Sequence, residues 1–340
     1  MKKKPLLKPS RPFFSSGPCP KRPGWSANAV EKLAYLGRSH RAKEPLQQIK
    51  TLIDLTGEVL NLPQGYKVAI VPGSDTGAFE LLMWSLLGKN ETTMLVWESF
   101  GNDWAEDAVD QLNLANCKVE RAEYGDLPKL NEVSNNSDIC FTWNGTTSGV
   151  RVPNSNWIEK NEERIVLCDA TSAVFSQELD WEKLDAVSFS WQKVLGGEGG
   201  HGVIVLSPNA IRRLSTFYPE RPIPKIFRLV KNGKLIEGVY EGETLNTPSM
   251  FCVADALDSL KWIKEIGGLK ETIRRSDKNF ECLQGWVDQT PWIENLVSDP
   301  TNRSNTSVCL KFSDKRIVSL NKDEQTHFVK KFVEMLEAEN

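Results

Sequence analysis

Cysteine pairs are missing from this chain of 340 residues. Its seven cysteines, Cys19, Cys117, Cys140, Cys168, Cys252, Cys282 and Cys309, stand singly with no CxxC spacing. An odd, scattered set excludes a disulfide framework and offers no zinc-ligand pattern. Histidine is scarce as well: His40, His201 and His327 lie far apart, so no metal site is expected. Charge of one sign is also lacking. The 42 Lys and Arg against 45 Asp and Glu leave a net charge of −3, which gives nucleic acid or an anionic membrane no electrostatic hold. No apolar run approaches a bilayer span, and Lys2-Lys3-Lys4 is followed by Pro5 rather than by a signal-peptide core. These absences predict a soluble, cytoplasmic protein without a nucleic-acid, membrane or metal partner.

What is present is an α/β pattern. The first two dozen residues are rich in Pro and Gly and predict an extended arm, followed by a helix capped by Ser26 and running to about Leu36. A helix over 44–60 carries Leu46, Ile49, Leu52, Ile53, Leu55 and Leu60 at helical spacing. Apolar, β-rich runs then predict seven strands at 66–71, 93–97, 117–122, 139–143, 164–168, 186–190 and 202–206. Helices are expected between several of them, at 77–87, 102–114 and 154–162. Such alternation implies a mainly parallel sheet covered on both faces, with ligands bound beyond the carboxyl ends of its strands. After Pro248 the pattern changes to helices at 250–266 and 269–290, a strand at 307–312 and a last helix from Lys322. The expected organisation is an arm (1–16), a large domain (17–247) and a smaller α+β domain (248–340).

Four segments at predicted strand ends carry chemistry. Val71-Pro72-Gly73-Ser74-Asp75-Thr76-Gly77 follows a strand and opens a helix. Its backbone N–H groups, with the Ser74 and Thr76 hydroxyls, form a phosphate cradle, or else simply a capped turn. Asp169 ends an apolar strand, where a carboxylate can pair with a pyridinium nitrogen or cap a turn. Lys193 closes Ser190-Trp191-Gln192-Lys193 and precedes Gly196-Gly197, 24 positions after Asp169. A lysine so placed can form a Schiff base with an aldehyde, although most lysines are solvated surface residues. Trp104 offers a flat indole to stack on a ring, or packs in the core. The ordered set of cradle, stacker, ring partner and Schiff-base lysine is what pyridoxal 5'-phosphate requires.

At this level the chain resembles the class V aminotransferases of fold type I. The likeness is carried by Phe14-Ser15-Ser16-Gly17-Pro18-Cys19, Ser39-His40-Arg41, the Pro72 to Gly77 turn, Trp143-Asn144-Gly145-Thr146-Thr147-Ser148-Gly149 and Ser190-Trp191-Gln192-Lys193. Pro224-Lys225-Ile226-Phe227-Arg228 and Leu245-Asn246-Thr247-Pro248-Ser249 extend it. The resemblance implies a pyridoxal-phosphate enzyme that transfers an amino group between glutamate and 3-phosphohydroxypyruvate, giving O-phosphoserine. It implies that Asp75 and Thr76 bind the cofactor phosphate, Trp104 stacks on the ring and Thr146 contacts the ring hydroxyl. Asp169 would pair with the ring nitrogen, Gln192 would help hold the cofactor, and Lys193 would attach it. Asn246 and Thr247 would reach the partner's cofactor in a homodimer, and His40 and Arg41 would bind substrate anions. The loop 73–77 departs from the family's usual glycine- and arginine-rich form.

Other members of the same fold act on alanine, serine or glyoxylate, or release sulfur from cysteine. The last of these would need Cys309 as nucleophile. A final expectation concerns the family's carboxylate-binding arginine. Only Arg303 and Arg316 occur late in the chain, neither in a matching context, and the last helix leaves Phe328, Phe332 and Leu336 without a following strand. The reading is a truncated or altered small domain with weak turnover.

Overall fold

The structure, a computed structural model, describes residues 17–338; the expected arm at 1–16, with Phe14, Ser15 and Ser16, lies outside the described residues. The central sheet has seven strands: β1 (Lys67–Pro72), β2 (Thr92–Val96), β3 (Cys117–Arg121), β4 (Asp138–Thr142), β5 (Val166–Asp169), β6 (Ala186–Ser190) and β7 (His201–Leu206). Their spatial order is β1-β7-β6-β5-β4-β2-β3. The pairs from β6 through β3 are parallel, whereas β7 runs antiparallel to both β1 and β6. All strands except β7 therefore point one way. The carboxyl ends of β1, β2, β4, β5 and β6 share an edge with the amino end of β7.

The main helices are α1 (Ala27–Leu33), α2 (Lys43–Val59), α3 (Ser74–Leu86), α4 (Ser99–Glu106), α5 (Pro208–Thr216), α6 (Met250–Ile266), α7 (Leu269–Asp288), the single turn α8 (Lys315–Val318) and α9 (Lys322–Glu337). Alternation along each strand sorts its side chains between two cores. Val68, Ile70, Val203 and Val205 face Ile49 and Leu52 of α2 and Val253 and Leu257 of α6. Ala69, Val71, Ile204 and Leu206 face Phe79 and Leu82 of α3 and Ala210 and Leu214 of α5. Each fully buried aliphatic side chain contributes about 1.5–3 kcal/mol, which is why the strands read as continuous apolar runs.

One ion pair lies inside this core. Arg213 of α5 donates to both carboxylate oxygens of Asp138, at 2.8 and 3.1 Å, and to the carbonyls of Leu86 and Glu163. Asp138 Oδ1 also accepts from the Ile165 N–H at 2.8 Å. The pair thus ties the amino ends of β4 and β5 to the carboxyl end of α3.

Strands β8 (Ile293–Asn295) and β9 (Leu310–Phe312) pair antiparallel. Phe312 packs between Phe328 and Phe332 of α9, with ring centroids 5.1 and 5.2 Å away, and stacks on Trp292. Phe328 and Phe332 are thus covered by the β8–β9 hairpin, while Leu336 remains 54% exposed. Asn321 and Glu324 close a reciprocal capping box at the start of α9.

The helix expected at 154–162 does not form. Asn154 Oδ1 accepts from the Asn156 N–H and Asn161 Oδ1 from the Glu163 N–H, both at 2.9 Å, so the short amide side chains turn the backbone instead. The helix expected at 102–114 starts earlier, as α4, and ends in a wider turn over Asp107–Gln111. Among the described residues no helix is long and apolar enough to cross a membrane.

Candidate active site

The shared strand edge gathers most of the residues singled out by sequence. Between β1 and α3 the chain turns at Gly73, whose φ is +87°, and at Ser74, whose φ of +54° is uncommon for a residue with a side chain. The turn lies flat on β7. A Cβ added at Gly202 would sit 2.2 Å from the Ser74 carbonyl oxygen, and Gly73 N–H donates to the Gly200 carbonyl at 3.1 Å. Ser74, Asp75 and Thr76 are the first residues of α3, so their N–H groups have no carbonyl one turn back and point out of the helix end. Thr76 is exposed there. Asp75 is buried, and its neighbours are Asp169, Ser188 and Thr171.

Asp169 ends β5 and is itself buried. Its Oδ1 accepts from the Thr171 N–H at 3.0 Å and its Oδ2 from Trp104 Nε1 at 3.2 Å. Trp104 is held by Phe79 of α3, with ring centroids 4.9 Å apart and planes tilted by 52°. The indole edge thereby fixes the carboxylate while its body stays packed.

Lys193 follows β6 in a tight turn, in which Gly196 N–H donates to the Lys193 carbonyl and Gly197 N–H to the Trp191 carbonyl, each at 2.8 Å. Trp191 stacks on His201 at the head of β7, centroids 5.0 Å apart. The N-terminal segment closes the turn from outside. Cys19 N–H donates to the Gln192 carbonyl at 2.7 Å, and a Cβ at Gly196 would meet the Pro20 carbonyl oxygen at 2.6 Å. That segment is in turn anchored on α6: Lys21 and Trp25 both donate to Asp255 at 2.7 Å, and Arg22 grips Asp258 through two bonds at 2.7 and 2.8 Å. Beside Lys193 opens a cavity of about 550 Å³ lined by Cys19, Ser172, Trp262, Arg275 and Thr306.

Thr146 Oγ1 lies 3.0 Å from Ser172 Oγ, which places it at the rim of this cavity. The other expected substrate and partner-site residues lie elsewhere in the single chain. His40 is buried and Arg41 exposed, and neither lines the cavity. Asn246 and Thr247 sit on a loop secured by the Ser249 N–H, which donates to His201 Nε2 at 3.2 Å. Arg303 donates to the Val297 and Ser298 carbonyls and Arg316 to Asp314, so neither late arginine reaches Lys193. The arginine lining the cavity is Arg275 of α7, which stacks over Trp262 and pairs with Glu271 at 2.9 Å. Cys309 donates from its Sγ to the Thr146 carbonyl, and burial pushes its thiol pKa up, away from a nucleophilic thiolate.

Sequence reasoning missed Glu98. It is 2% exposed, accepts from the Gly101 N–H at 2.6 Å and from the Thr147 hydroxyl at 3.2 Å, and braces the loops after β2 and β4 against each other. A glutamate at the cap position of α4 was the available signal.

The arrangement suits pyridoxal 5'-phosphate. Three N–H groups at a helix end face one side, and the buried polar atoms Thr171 Oγ1, Ser188 Oγ and Gln192 Oε1 have no hydrogen bond of ordinary geometry among the described residues. A planar polar ring and a phosphate would supply partners for groups that otherwise carry a burial penalty.

Comparison with known proteins agrees with this geometry. The family described as aminotransferase class-V matches residues 36–324. A phosphoserine aminotransferase from Methanosarcina barkeri is 48% identical over 319 residues, covering 93% of this chain and 86% of that protein. One from Methanosarcina mazei is 47% identical over 336 residues, covering 99% and 88%. In fold, the chain is similar to a phosphoserine aminotransferase of Bacillus circulans subsp. alkalophilus, with a TM-score of 0.73 at 21% identity over 96% of this chain and 87% of that one. With this match over most of its length, the chain belongs to the class-V aminotransferase family.

Proposed function

We propose that the chain is a pyridoxal-phosphate-dependent phosphoserine transaminase, exchanging an amino group between glutamate and 3-phosphohydroxypyruvate to give 2-oxoglutarate and O-phosphoserine. The observation that carries the reading is the meeting of Asp169, Trp104 and Lys193 at one sheet edge, beside the open N–H groups of α3. The names and 47–48% identity of the Methanosarcina relatives supply the substrate.

When bound, pyridoxal 5'-phosphate supplies an aldehyde that condenses with amines and a ring that draws electrons from the substrate α-carbon. The N–H groups of Ser74, Asp75 and Thr76 would hold its phosphate, and Asp169 would hold the proton on its ring nitrogen. Trp104 keeps Asp169 oriented and would shield the ring from water. Gln192 and Thr146 would steady the ring's polar edge. Lys193 would tether the aldehyde, and its amine would move the proton at the substrate α-carbon.

The same reading makes the active form a homodimer in the cytoplasm. Asn246 and Thr247 complete the partner's phosphate site, and His40 and Arg41 bind the substrate's anionic groups. It also divides the chain into a large cofactor-binding lobe at 17–247 and a small lobe at 248–340. The test is direct: load the purified protein with the cofactor, supply O-phosphoserine, serine or alanine, and follow cofactor absorbance and amino transfer to 2-oxoglutarate. O-Phosphoserine should be the preferred donor. Faster transfer from serine or alanine would overturn the assignment in favour of a glyoxylate-type transaminase.

A further inference from the structure

Asp75 stands second in α3, a position where carboxylates are common, yet its side chain is only 8% exposed. It lies against Asp169, also 8% exposed, with Ser188 and Thr171 beside it. Asp75 Oδ1 has no hydrogen-bond partner of ordinary geometry among the described residues, while the Thr171 and Ser188 hydroxyls stand beside the carboxyl and can donate to it. Two buried carboxyls in contact do not both stay ionised, because each loses water and faces a like charge. The end of α3 favours an anion, but a helix dipole is weaker than burial combined with a full neighbouring charge. Burial, and then the charge of Asp169, push the Asp75 carboxyl well above the ordinary carboxylate range.

We propose that Asp75 is a positioning residue that keeps its own proton and donates it as a hydrogen bond to Asp169, steadying the side chain that faces the ring nitrogen. The direction toward the ring rests on the function proposed above; the proton on Asp75 does not. This role differs from direct contact of the Asp75 side chain with the cofactor phosphate. An ionised carboxylate at the cradle would repel a phosphate dianion, and a neutral one does not.

The Ser188 and Thr171 hydroxyls favour the ionised form of Asp75, but burial and the charge of Asp169 outweigh them. On β5, the Cys168 thiol is pushed up by burial and by the charge of Asp169. At the head of α4, Glu98 is raised by burial, while the Gly101 N–H stabilises its charge. At the start of β7, burial lowers the pKa of His201 and favours neutral imidazole. Trp104 donates to Asp169 from α4, and Lys193 follows β6.

A carboxyl with a raised folded-state pKa stabilises the fold fully below its unfolded value, and loses that contribution as pH rises through the folded value. Cofactor-free wild type and Asp75→Asn are therefore compared by infrared spectroscopy and by melting from about pH 5 to about pH 9. At neutral pH the wild type should show the band of a buried protonated carboxyl, and Asp75→Asn should lose the component that belongs to Asp75, over whatever Glu98 and Asp185 contribute. The melting temperature of wild type should fall more steeply with pH, since the amide is always neutral. If no protonated band appears, or the same band and slope persist in Asp75→Asn, the proposal is overturned. Should that variant not fold, carbon NMR titration of labelled aspartates in the wild type reads the same proton. In cofactor-loaded protein, Asp75→Asn keeps a donor and should preserve the pH profile of cofactor absorbance, whereas Asp75→Ala should shift it. Identical profiles for the two would remove the donor role. Failure of every form to bind cofactor would instead sink the proposed function and leave the infrared result standing.

Discussion

Replacing Asp169 with asparagine keeps the shape of the side chain and removes its charge. In the structure one oxygen accepts from the Thr171 N–H at 3.0 Å and the other from Trp104 Nε1 at 3.2 Å. The amide retains a single acceptor. If its oxygen stays on Thr171, its NH2 faces the indole N–H, donor against donor, and a charge-assisted bond worth about 1.5–3 kcal/mol is lost. On the proposed function the larger effect would fall on the ring nitrogen, which would lose its anionic partner in a buried setting. Removing one member of a buried charge pair costs about 3–5 kcal/mol. If that loss is felt in the transition state, it corresponds to a fall of about 10² to 10⁴-fold in kcat. Folding should respond less, because in the cofactor-free protein there is no ring nitrogen to lose its partner, and the amide oxygen still accepts from the Thr171 N–H. Stopped-flow measurement of the glutamate half-reaction, with melting of the cofactor-free protein alongside, separates the two effects. The expected result is a large drop in rate with only a modest fall in melting temperature. A rate within about threefold of the parent would refute the role given to Asp169.

Other variants probe different links. Lys193→Ala should fold and still bind some cofactor, but without covalent attachment and without amino transfer; measurable steady transfer would remove Lys193 from the mechanism. Mixing Lys193→Ala chains with Asn246→Ala/Thr247→Ala chains should restore one working site per mixed dimer, and no recovery after confirmed subunit exchange would mean that each site is built within one chain. Arg213→Met strips the cation from the buried Asp138 pair and should cost about 3–5 kcal/mol in urea unfolding. An unchanged urea midpoint would show that the buried pair contributes nothing measurable to stability.

Much of the sheet was legible because its strands are buried on both faces. Runs such as Ile165-Val166-Leu167-Cys168 admit few other readings, and the seven expected strands fall within two residues of those observed. The reversal of β7 was not legible, since nothing local in His201–Leu206 states which neighbour it pairs with. Strand β8 spans three residues, too few to show alternation. The segment 154–162 has helical spacing, but its asparagines bond to their own backbone. In the site, strand-end position was enough to bring Asp169, Lys193 and the 73–77 turn together. The orientation of the Asp75 side chain depends on Asp169 and Ser188 across the sheet, and the place of Arg275 beside the cavity depends on how α7 docks. Neither contact is local in sequence, so spacing along the chain did not reveal them.

The contacts that close the turn around Lys193 set an order of assembly. Lys21 and Arg22 lie 234 and 236 positions from the aspartates that hold them. A ribosome that has just added Lys193 has not yet made Asp255 or Asp258. The N-terminal segment, synthesised first, must wait for α6 before it can press on the Gln192 to Gly196 turn. Such distant closures are slow compared with helix formation. The turn that carries Lys193 therefore gains its surroundings late in folding, and an unfinished chain that already contains Lys193 and Asp169 lacks the clasp that presses on that turn.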